Sequence, residues 1–191
     1  DVDDPRPEEV LVRIVASGIC HTDIAVKNQD ISIPLPMVLG HEGSGVIEKV
    51  GSAVTHLKVG DHVVLSGDSC GHCHSCLEAK TGYCDEFVGR NLMGLRGDGT
   101  SPLNQHGKPL RGRFVGQSSF ATYSLTPARS VNRIPDDLPL ELMGPLGCGL
   151  TTGAGTVLNA LKPPSGSSVA VFGCGTVGLS AIMGARLAGC A

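Results

Sequence analysis

The chain contains 191 residues, of which 41% are hydrophobic and 17% are charged, and its formal net charge is -3. This length accommodates one large domain or one domain with part of a second, and no block of like charge indicates binding to nucleic acid or to an anionic membrane. The 27 glycines and 12 prolines, with four phenylalanines, two tyrosines and no tryptophan, favour a β fold with many turns.

The N-terminal part of the chain is predicted to form short strands separated by glycine turns. Alternating, β-branched segments predict strands at residues 10–16, 46–50, 62–65 and 119–125. Such strands are typical of a small antiparallel barrel or sandwich. Residues 87–117 contain glycines, charges and weak periodicity, and they are predicted to form a long irregular loop.

A change of character near residue 139 indicates a second region. Residues 140–161 are apolar and predicted to be helical, and residues 169–172 are predicted to form a strand buried on both faces. The glycines of a G-x-G-x-x-G pattern follow directly: Gly173, Gly175 and Gly178. A strand, this pattern and a helix in this order predict a dinucleotide-binding turn, in which the helix N-terminus faces a pyrophosphate.

The dinucleotide-binding fingerprint is incomplete within this sequence. The acidic residue that binds the ribose is expected about 20 positions further along, and one strand with one helix cannot form a doubly wound sheet. We therefore expect the chain to be part of a longer protein, and this part alone is expected to be inactive. The uncharged stretch 167–185 is long enough to span a membrane, but its four glycines and lack of an aromatic belt favour a buried strand and helix.

Four cysteines form a compact cluster in the sequence: Cys70, Cys73, Cys76 and Cys84. Their C-x2-C-x2-C-x7-C spacing predicts a tetrahedral zinc site in the loop 70–84. A ferredoxin cluster would place its fourth cysteine three residues after the third, and a disulfide framework would require a secreted context. Four thiolates leave no open position for a substrate, so the predicted role of this zinc ion is structural.

Cys20, His41 and Cys148 form a second set of candidate metal ligands. Each lies in a glycine-rich turn, where functional groups commonly project from a fold. Each also has an ordinary interpretation, because a thiol is often a small buried hydrophobe and a histidine beside an acid is often a surface pair. Residues this far apart cannot be joined by spacing alone, so both interpretations remain open from the residues themselves.

The motifs together resemble those of the zinc-dependent medium-chain alcohol dehydrogenases. The pattern G-H-E-x2-G-x5-G-x2-V is complete between Gly40 and Val54, and the four-cysteine loop, G-I-C-H-T-D, G-C-G-L-T-T-G and V-F-G-C-G-T-V-G occur in order. The stretches 116–123 and 144–149 most resemble the aryl-alcohol (benzyl-alcohol) dehydrogenase branch. The resemblance implies a β-rich GroES-like catalytic domain at residues 1–143, a partly open antiparallel barrel. It also implies the first part of an α/β Rossmann-type dinucleotide-binding domain at residues 144–191.

The same resemblance implies a second, catalytic zinc ion bound by Cys20, His41 and Cys148, with water or substrate as the fourth ligand. Glu42 is implied to lie close to this ion as an occasional ligand, and Asp23 to orient the ligand histidine. The implied cofactors are therefore two zinc ions per chain and NAD, and NADP is not excluded.

Further residues are implied to serve the proton relay and the cofactor. Thr22 matches the hydroxyl that passes on the alcohol proton, His21 a contact to the pyrophosphate, and Thr152 a contact to the nicotinamide. The three glycines of the G-x-G-x-x-G turn are implied to bind the cofactor as well. Ala25 stands where many relatives carry a histidine that ends the relay, so Thr22 would pass its proton to the cofactor ribose, to His21 or to water.

The implied function is oxidation of a primary, aromatic alcohol to the aldehyde by hydride transfer to NAD(P)⁺. An S-(hydroxymethyl)glutathione dehydrogenase would share these motifs and is the first alternative. The second, from another class, is a non-catalytic zinc-stabilised binding module, although a module would need only one closed site. The expected partner is a small alcohol or aldehyde, with no nucleic acid and no membrane. A cytoplasmic location and a homo-oligomer, either dimer or tetramer, are expected for the full-length protein.

Overall fold

A computed structural model describes all 191 residues, and these divide into two compact units, Asp1–Gly144 and Pro145–Ala191. None of its helices combines the length and the apolar character that crossing a lipid bilayer requires. The seven strands are β1 (Glu9–Ser17), β2 (Gly43–Val50), β3 (His62–Leu65), β4 (Leu103–Gln105), β5 (Lys108–Leu110), β6 (Tyr123–Pro127) and β7 (Val131–Arg133). The six α-helices are α1 (His21–Lys27), α2 (His74–Leu77), α3 (Phe87–Asn91), α4 (Leu140–Met143), α5 (Gly149–Gly155) and α6 (Thr176–Leu187).

The first unit is built on a five-stranded antiparallel sheet in the order β6-β1-β2-β3-β7. The pairing of β1 with β2 shifts register twice, between Leu11 and Val12 and between Ile14 and Ala16. Register shifts of this kind increase the local twist of a sheet, and this sheet curls into a half-barrel. The antiparallel barrel expected from the sequence is therefore confirmed.

Alternating apolar side chains form the core of this half-barrel. Val10, Val12, Ile47, Val63 and Leu65 are almost completely buried and pack in one cluster. Burial of each such side chain stabilises the fold by about 1.5–3 kcal/mol. The β-branched residues that predicted β1, β2 and β3 are thus the residues that hold the sheet together.

The expectation of a long irregular loop at residues 87–117 was wrong. This segment contains α3, the β4–β5 hairpin and a 3₁₀ turn at Phe114–Gly116. The hairpin strands have only three residues each, which is too short for a period-2 pattern to be recognised in the sequence. The strand predicted at residues 119–125 is also displaced, because the main-chain amides of Ser119 and Phe120 donate to residues 40 and 39 and β6 begins only at Tyr123.

The second unit consists of α5, a π-helical turn at Thr156–Leu161, and α6. The predicted helices at 140–161 and after the glycine turn are present, but residues 169–172 do not form the predicted strand. Val169 and Val171 pack against α6, whereas Phe172 is 97% exposed. A strand requires a neighbour to pair its main-chain groups, and none of the described residues provides one, so the strand predicted at residues 169–172 is not formed in this chain.

Candidate metal centres

The four loop cysteines converge on one point in the first unit. The sulfur atoms of Cys70, Cys73, Cys76 and Cys84 all lie within 4.8 Å of one another, and those of Cys70 and Cys76 are 3.8 Å apart. A tetrahedral zinc ion with bonds of about 2.3 Å places its sulfur ligands about 3.8 Å apart. The arrangement therefore fits a closed zinc site with four thiolate ligands.

Main-chain amides are directed at these sulfur atoms. The N–H groups of His72 and Cys73 donate to Cys70 Sγ at 3.4 and 3.2 Å, and Cys70 N–H donates to Cys84 Sγ at 3.3 Å. The N–H groups of Asp85 and Cys76 lower the pKa of Cys73 to about 7. Hydrogen bonds of this kind stabilise thiolates, which are the form that binds zinc.

The cysteine loop is held by hydrogen bonds from two polar side chains that the sequence motifs did not identify. Asn91 is fully buried; its amide accepts from Asp68 N–H at 2.8 Å and donates to the carbonyls of Asp68 and Phe87 at 2.9 and 3.0 Å. The Arg129 guanidinium donates to the carbonyls of Ser69 and Cys70. The hydrogen bonds of Asn91 thus bring Asp68, which precedes the first cysteine, next to α3, which follows the last cysteine. These contacts involve protein atoms only.

A second group of ligand atoms lies elsewhere in the first unit. Cys20 Sγ, a ring nitrogen of His41 and a carboxylate oxygen of Glu42 are within 4.8 Å of one another. Cys20 is the N-cap of α1, three residues after the end of β1, and His41 and Glu42 directly precede β2. Adjacent antiparallel strands bring the end of one beside the start of the next, so the pairing of β1 with β2 places these three residues together.

Asp23 connects these ligands through one carboxylate. Its Oδ1 atom lies 3.2 Å from His41 Nδ1 and accepts from Gly40 N–H at 2.9 Å, while Oδ2 accepts from Cys20 N–H at 3.1 Å. The carboxylate and the imidazole are both buried. A hydrogen bond from Nδ1–H to a carboxylate fixes the ring and leaves Nε2 as the nitrogen that donates to a metal ion.

Neighbouring groups change the pKa of the Cys20 thiol. Burial acts to raise the pKa of this thiol, but hydrogen bonds from the amide and hydroxyl of Thr22, together with the nearby His41 ring, lower it below its ordinary value. Thr22 is half-buried, with its Oγ1 atom 3.6 Å from Cys20 Sγ. A thiol, an imidazole and a carboxylate form a donor set that suits zinc.

Remaining predicted site residues are distributed over both units. His21 is exposed at the start of α1, and in the second unit Cys148 directly precedes α5, in which Thr152 is exposed. Gly173 has φ +108°, and a Cβ atom on Gly178 would lie 1.9 Å from the Gly173 carbonyl oxygen. The glycine turn before α6 therefore has the close backbone approach that a dinucleotide-binding turn requires.

Comparison with known proteins agrees with this fold. Residues 6–136 match the family model described as the alcohol dehydrogenase GroES-like domain, and the chain belongs to this family. It is 50% identical over 188 residues to a geraniol dehydrogenase from Castellaniella defragrans, an alignment that covers 97% of this chain and 50% of that protein.

Two solved structures are closely similar. One is an alcohol dehydrogenase zinc-binding domain protein from Burkholderia ambifaria, with 51% identity, a TM-score of 0.95, and coverage of 99% of this chain and 51% of that chain. The other is a benzyl alcohol dehydrogenase from Acinetobacter calcoaceticus, with 48% identity, a TM-score of 0.93, and coverage of 100% and 51%. The chain therefore spans about half the length of the relatives that it matches.

Proposed function

We propose that the protein is a zinc-dependent alcohol dehydrogenase that oxidises a primary, aromatic alcohol to the aldehyde with NAD(P)⁺. The observation that carries this proposal is the second donor set, Cys20, His41 and Glu42, whose ligand atoms lie within 4.8 Å of one another. A protein that used zinc only for stability would need the four-thiol cluster alone. The names of two relatives, a benzyl alcohol dehydrogenase and a geraniol dehydrogenase, support an alcohol substrate.

Each part of the site has a task in this proposal. Cys20 and His41, with Cys148 from the second unit, would hold a zinc ion, and Glu42 would exchange with these ligands. When bound, zinc supplies Lewis-acid polarisation and a nicotinamide cofactor supplies the hydride acceptor. Asp23 holds the His41 ring and the Cys20 amide in a fixed orientation.

Movement of the alcohol proton is assigned to Thr22. Its hydroxyl lies at the first turn of α1 beside Cys20, and a hydroxyl both donates and accepts a hydrogen bond. Thr22 Oγ1 would accept the proton of the substrate hydroxyl and pass its own to the cofactor ribose, to His21 or to water. Ala25 offers no group that titrates.

Cofactor binding is assigned to the second unit as the start of a Rossmann-type domain. Thr152 and the turn at Gly173, Gly175 and Gly178 would contact the cofactor, and His21 would contact its pyrophosphate. Further parts of the proposal are a cytoplasmic location, which suits cysteines kept as thiols, and a dimer or tetramer.

The test is a substrate assay with the complete gene product that contains this chain. Benzyl alcohol and geraniol are compared with S-(hydroxymethyl)glutathione, each with NAD⁺ and with NADP⁺, and aldehyde is identified chemically. We expect saturable oxidation of benzyl alcohol that depends on zinc. A preference for the glutathione adduct would replace the proposed substrate, and zinc-loaded protein without activity on any of the three would refute the proposed function.

A further inference from the structure

The segment that carries His41 and Glu42 has no regular secondary structure, yet its main-chain carbonyl groups accept hydrogen bonds from one neighbouring segment. Residues 38–42 lie between a bridge at Met37 and the start of β2. The carbonyl groups of Val38, Leu39, Gly40 and His41 accept, in that order, from Ser118 Oγ, Phe120 N, Ser119 N and Gln117 Nε2. Four consecutive carbonyl groups, the last of them that of His41, thus accept hydrogen bonds from one short segment. We call this segment, residues 117–120, the support segment.

Within the support segment, Gln117 makes two side-chain hydrogen bonds to the main chain around Glu42. Its side chain is fully buried; Nε2 donates to His41 O at 2.9 Å, and Oε1 accepts from Gly43 N–H at 3.0 Å. One planar amide therefore binds the main chain on both sides of Glu42. Because the two peptide groups are buried, loss of either bond would remove a hydrogen-bond partner from a buried polar group, which costs about 1–3 kcal/mol.

The support segment and the turn that precedes it contain residues in the left-handed backbone region. Val115 and Ser118 have φ values of 47° and 54°, a region in which non-glycine residues are strained by about 1–3 kcal/mol. Ser118 Oγ accepts from Phe114 N–H at 2.8 Å, which helps to offset this cost. The Phe114 ring also meets the His41 ring edge-on, with centroids 5.5 Å apart and an angle of 83°.

The space around the Gln117 side chain is also restricted. A Cβ atom on Gly43 would lie 3.0 Å from Gln117 Oε1 and 2.7 Å from the Ser119 side chain. The glycine after the G-H-E triplet therefore makes room for the support segment. Any side chain at residue 43 would therefore displace Gln117 or Ser119.

We propose that Gln117 is a positioning residue of the Cys20–His41–Glu42 site, an inference that rests on the proposed function. Its amide fixes the peptide groups on either side of Glu42, and so sets the directions in which His41 and Glu42 project toward a metal ion. Residues that orient metal ligands are typically worth about 10–100-fold in metal affinity. The four-thiol site, whose loop is held by Asn91 and Arg129, does not depend on Gln117.

The experiment measures zinc release from the fully loaded, complete gene product into a chromophoric chelator. Gln117→Met removes both amide hydrogen bonds at similar volume, and Gln105→Met makes the same change on the exposed β4–β5 hairpin. Asn91→Leu removes a buried amide beside the four-thiol site. We expect Gln117→Met to weaken zinc binding at the open site about 10–100-fold and to leave the tightly held zinc unchanged, Asn91→Leu to do the reverse, and Gln105→Met to alter neither.

A second variant and a spectroscopic measurement distinguish the proposed positioning role from general misfolding. Burial favours the neutral form of a carboxyl group, so Gln117→Glu would keep the acceptor for Gly43 N–H and one O–H donor for His41 O, and a smaller effect than that of Gln117→Met is expected. Cobalt(II) at the open site should show altered ligand-field bands in Gln117→Met and a spectrum closer to wild type in Gln117→Glu. Equal weakening of both zinc ions by Gln117→Met, no weakening, or a Gln117→Glu variant as impaired as Gln117→Met would overturn the proposal.

The outcome is separable from that of the proposed function, because metal release is measured without substrate. Wild-type protein that holds two zinc ions, depends on Gln117 for one of them and oxidises no alcohol would refute the function and retain the positioning role. Wild-type protein that holds only the four-thiol zinc would overturn both.

Discussion

Individual side chains determine how the open donor set is presented. Asp23 contacts both Cys20 and His41, and its carboxylate is buried with the imidazole. The effect of changing this one residue should therefore extend to two ligands at once, whereas most single substitutions on the surface have small effects.

We expect Asp23→Asn to lower zinc affinity at the open site about 10–100-fold, because the amide removes the negative charge that orients and polarises the His41 ring. Competition with a chelator measures this affinity. Asp30→Asn, on an exposed turn after α1, is the control with the same chemical change. Unaltered zinc affinity in Asp23→Asn would mean that the ring is held by its other neighbours.

Thr22 is the residue whose chemistry is most open to a direct test. We expect Thr22→Ala to lower turnover about 10²–10⁴-fold, the usual contribution of acid–base assistance, with a smaller change in cofactor affinity. Rapid-mixing kinetics under conditions in which hydride transfer limits the rate would measure it. Thr81→Ala, exposed in the zinc loop, is the matched control, and wild-type turnover of Thr22→Ala between pH 6 and pH 9 would refute the relay.

At the scale of elements, ion pairs attach β1 to the segment after α3. Arg96 donates to both oxygens of buried Glu9 at 2.9 and 3.0 Å, and Arg113 lies 3.4 Å from the same carboxylate. Burial acts to raise the pKa of Glu9, but the hydrogen bond and charge of Arg96 outweigh it and hold the pKa below its ordinary value. The stabilisation is therefore present above the ordinary carboxyl range and is lost as the pH falls through the lowered pKa.

The acid sensitivity of this pair can be measured by denaturant unfolding. At neutral pH we expect Glu9→Gln to lower the free energy of unfolding by about 3–5 kcal/mol, the usual cost of breaking a buried pair. The difference from wild type should shrink as the pH falls through the lowered pKa of Glu9, because both proteins then lack the charge. Glu48→Gln, in an exposed pair with Arg13, should cost less than about 1 kcal/mol. A pH-independent effect of Glu9→Gln would contradict this linkage.

The cysteine loop and the second unit should respond differently to loss of one thiol. Cys73 belongs to a closed cluster whose metal binding is coupled to folding of its loop, so Cys73→Ser should lower the melting temperature and the yield of soluble protein. Cys148→Ser should abolish turnover with a smaller change in melting temperature. Calorimetry and activity of the two variants make the comparison, and identical melting temperatures with identical residual activity would refute the division of roles.

For the whole molecule, two donor sets predict two zinc ions of unequal lability. A chelator should remove the open-site zinc first and abolish activity while circular dichroism remains unchanged, because the four-thiol cluster still stabilises the fold. Metal analysis during the titration follows both ions. A stoichiometry of one zinc in fully loaded protein would contradict this prediction.

Local patterns in the sequence were sufficient for the elements whose signal is contiguous. The β-branched runs of β1, β2 and β3 are confirmed, because a short contiguous run of β-branched and apolar residues is a local signal of a strand. The zinc-loop spacing pointed to a cluster for a similar reason, since all four ligands lie within one loop. Isolated Cys20 and His41 carried no such information, and their grouping came only from the resemblance.

The tertiary structure alone determined the contacts between segments that are distant in the chain. Gln117 bonds to His41 across 76 positions and Asn91 to Asp68 across 23, and no local pattern indicates which buried amide meets which peptide group. The same reason explains the strand that is absent at residues 169–172, because its apolar run specified burial but not a partner. Side-chain periodicity is a local property of the chain, whereas hydrogen-bond partners are fixed only when the fold has brought the segments together.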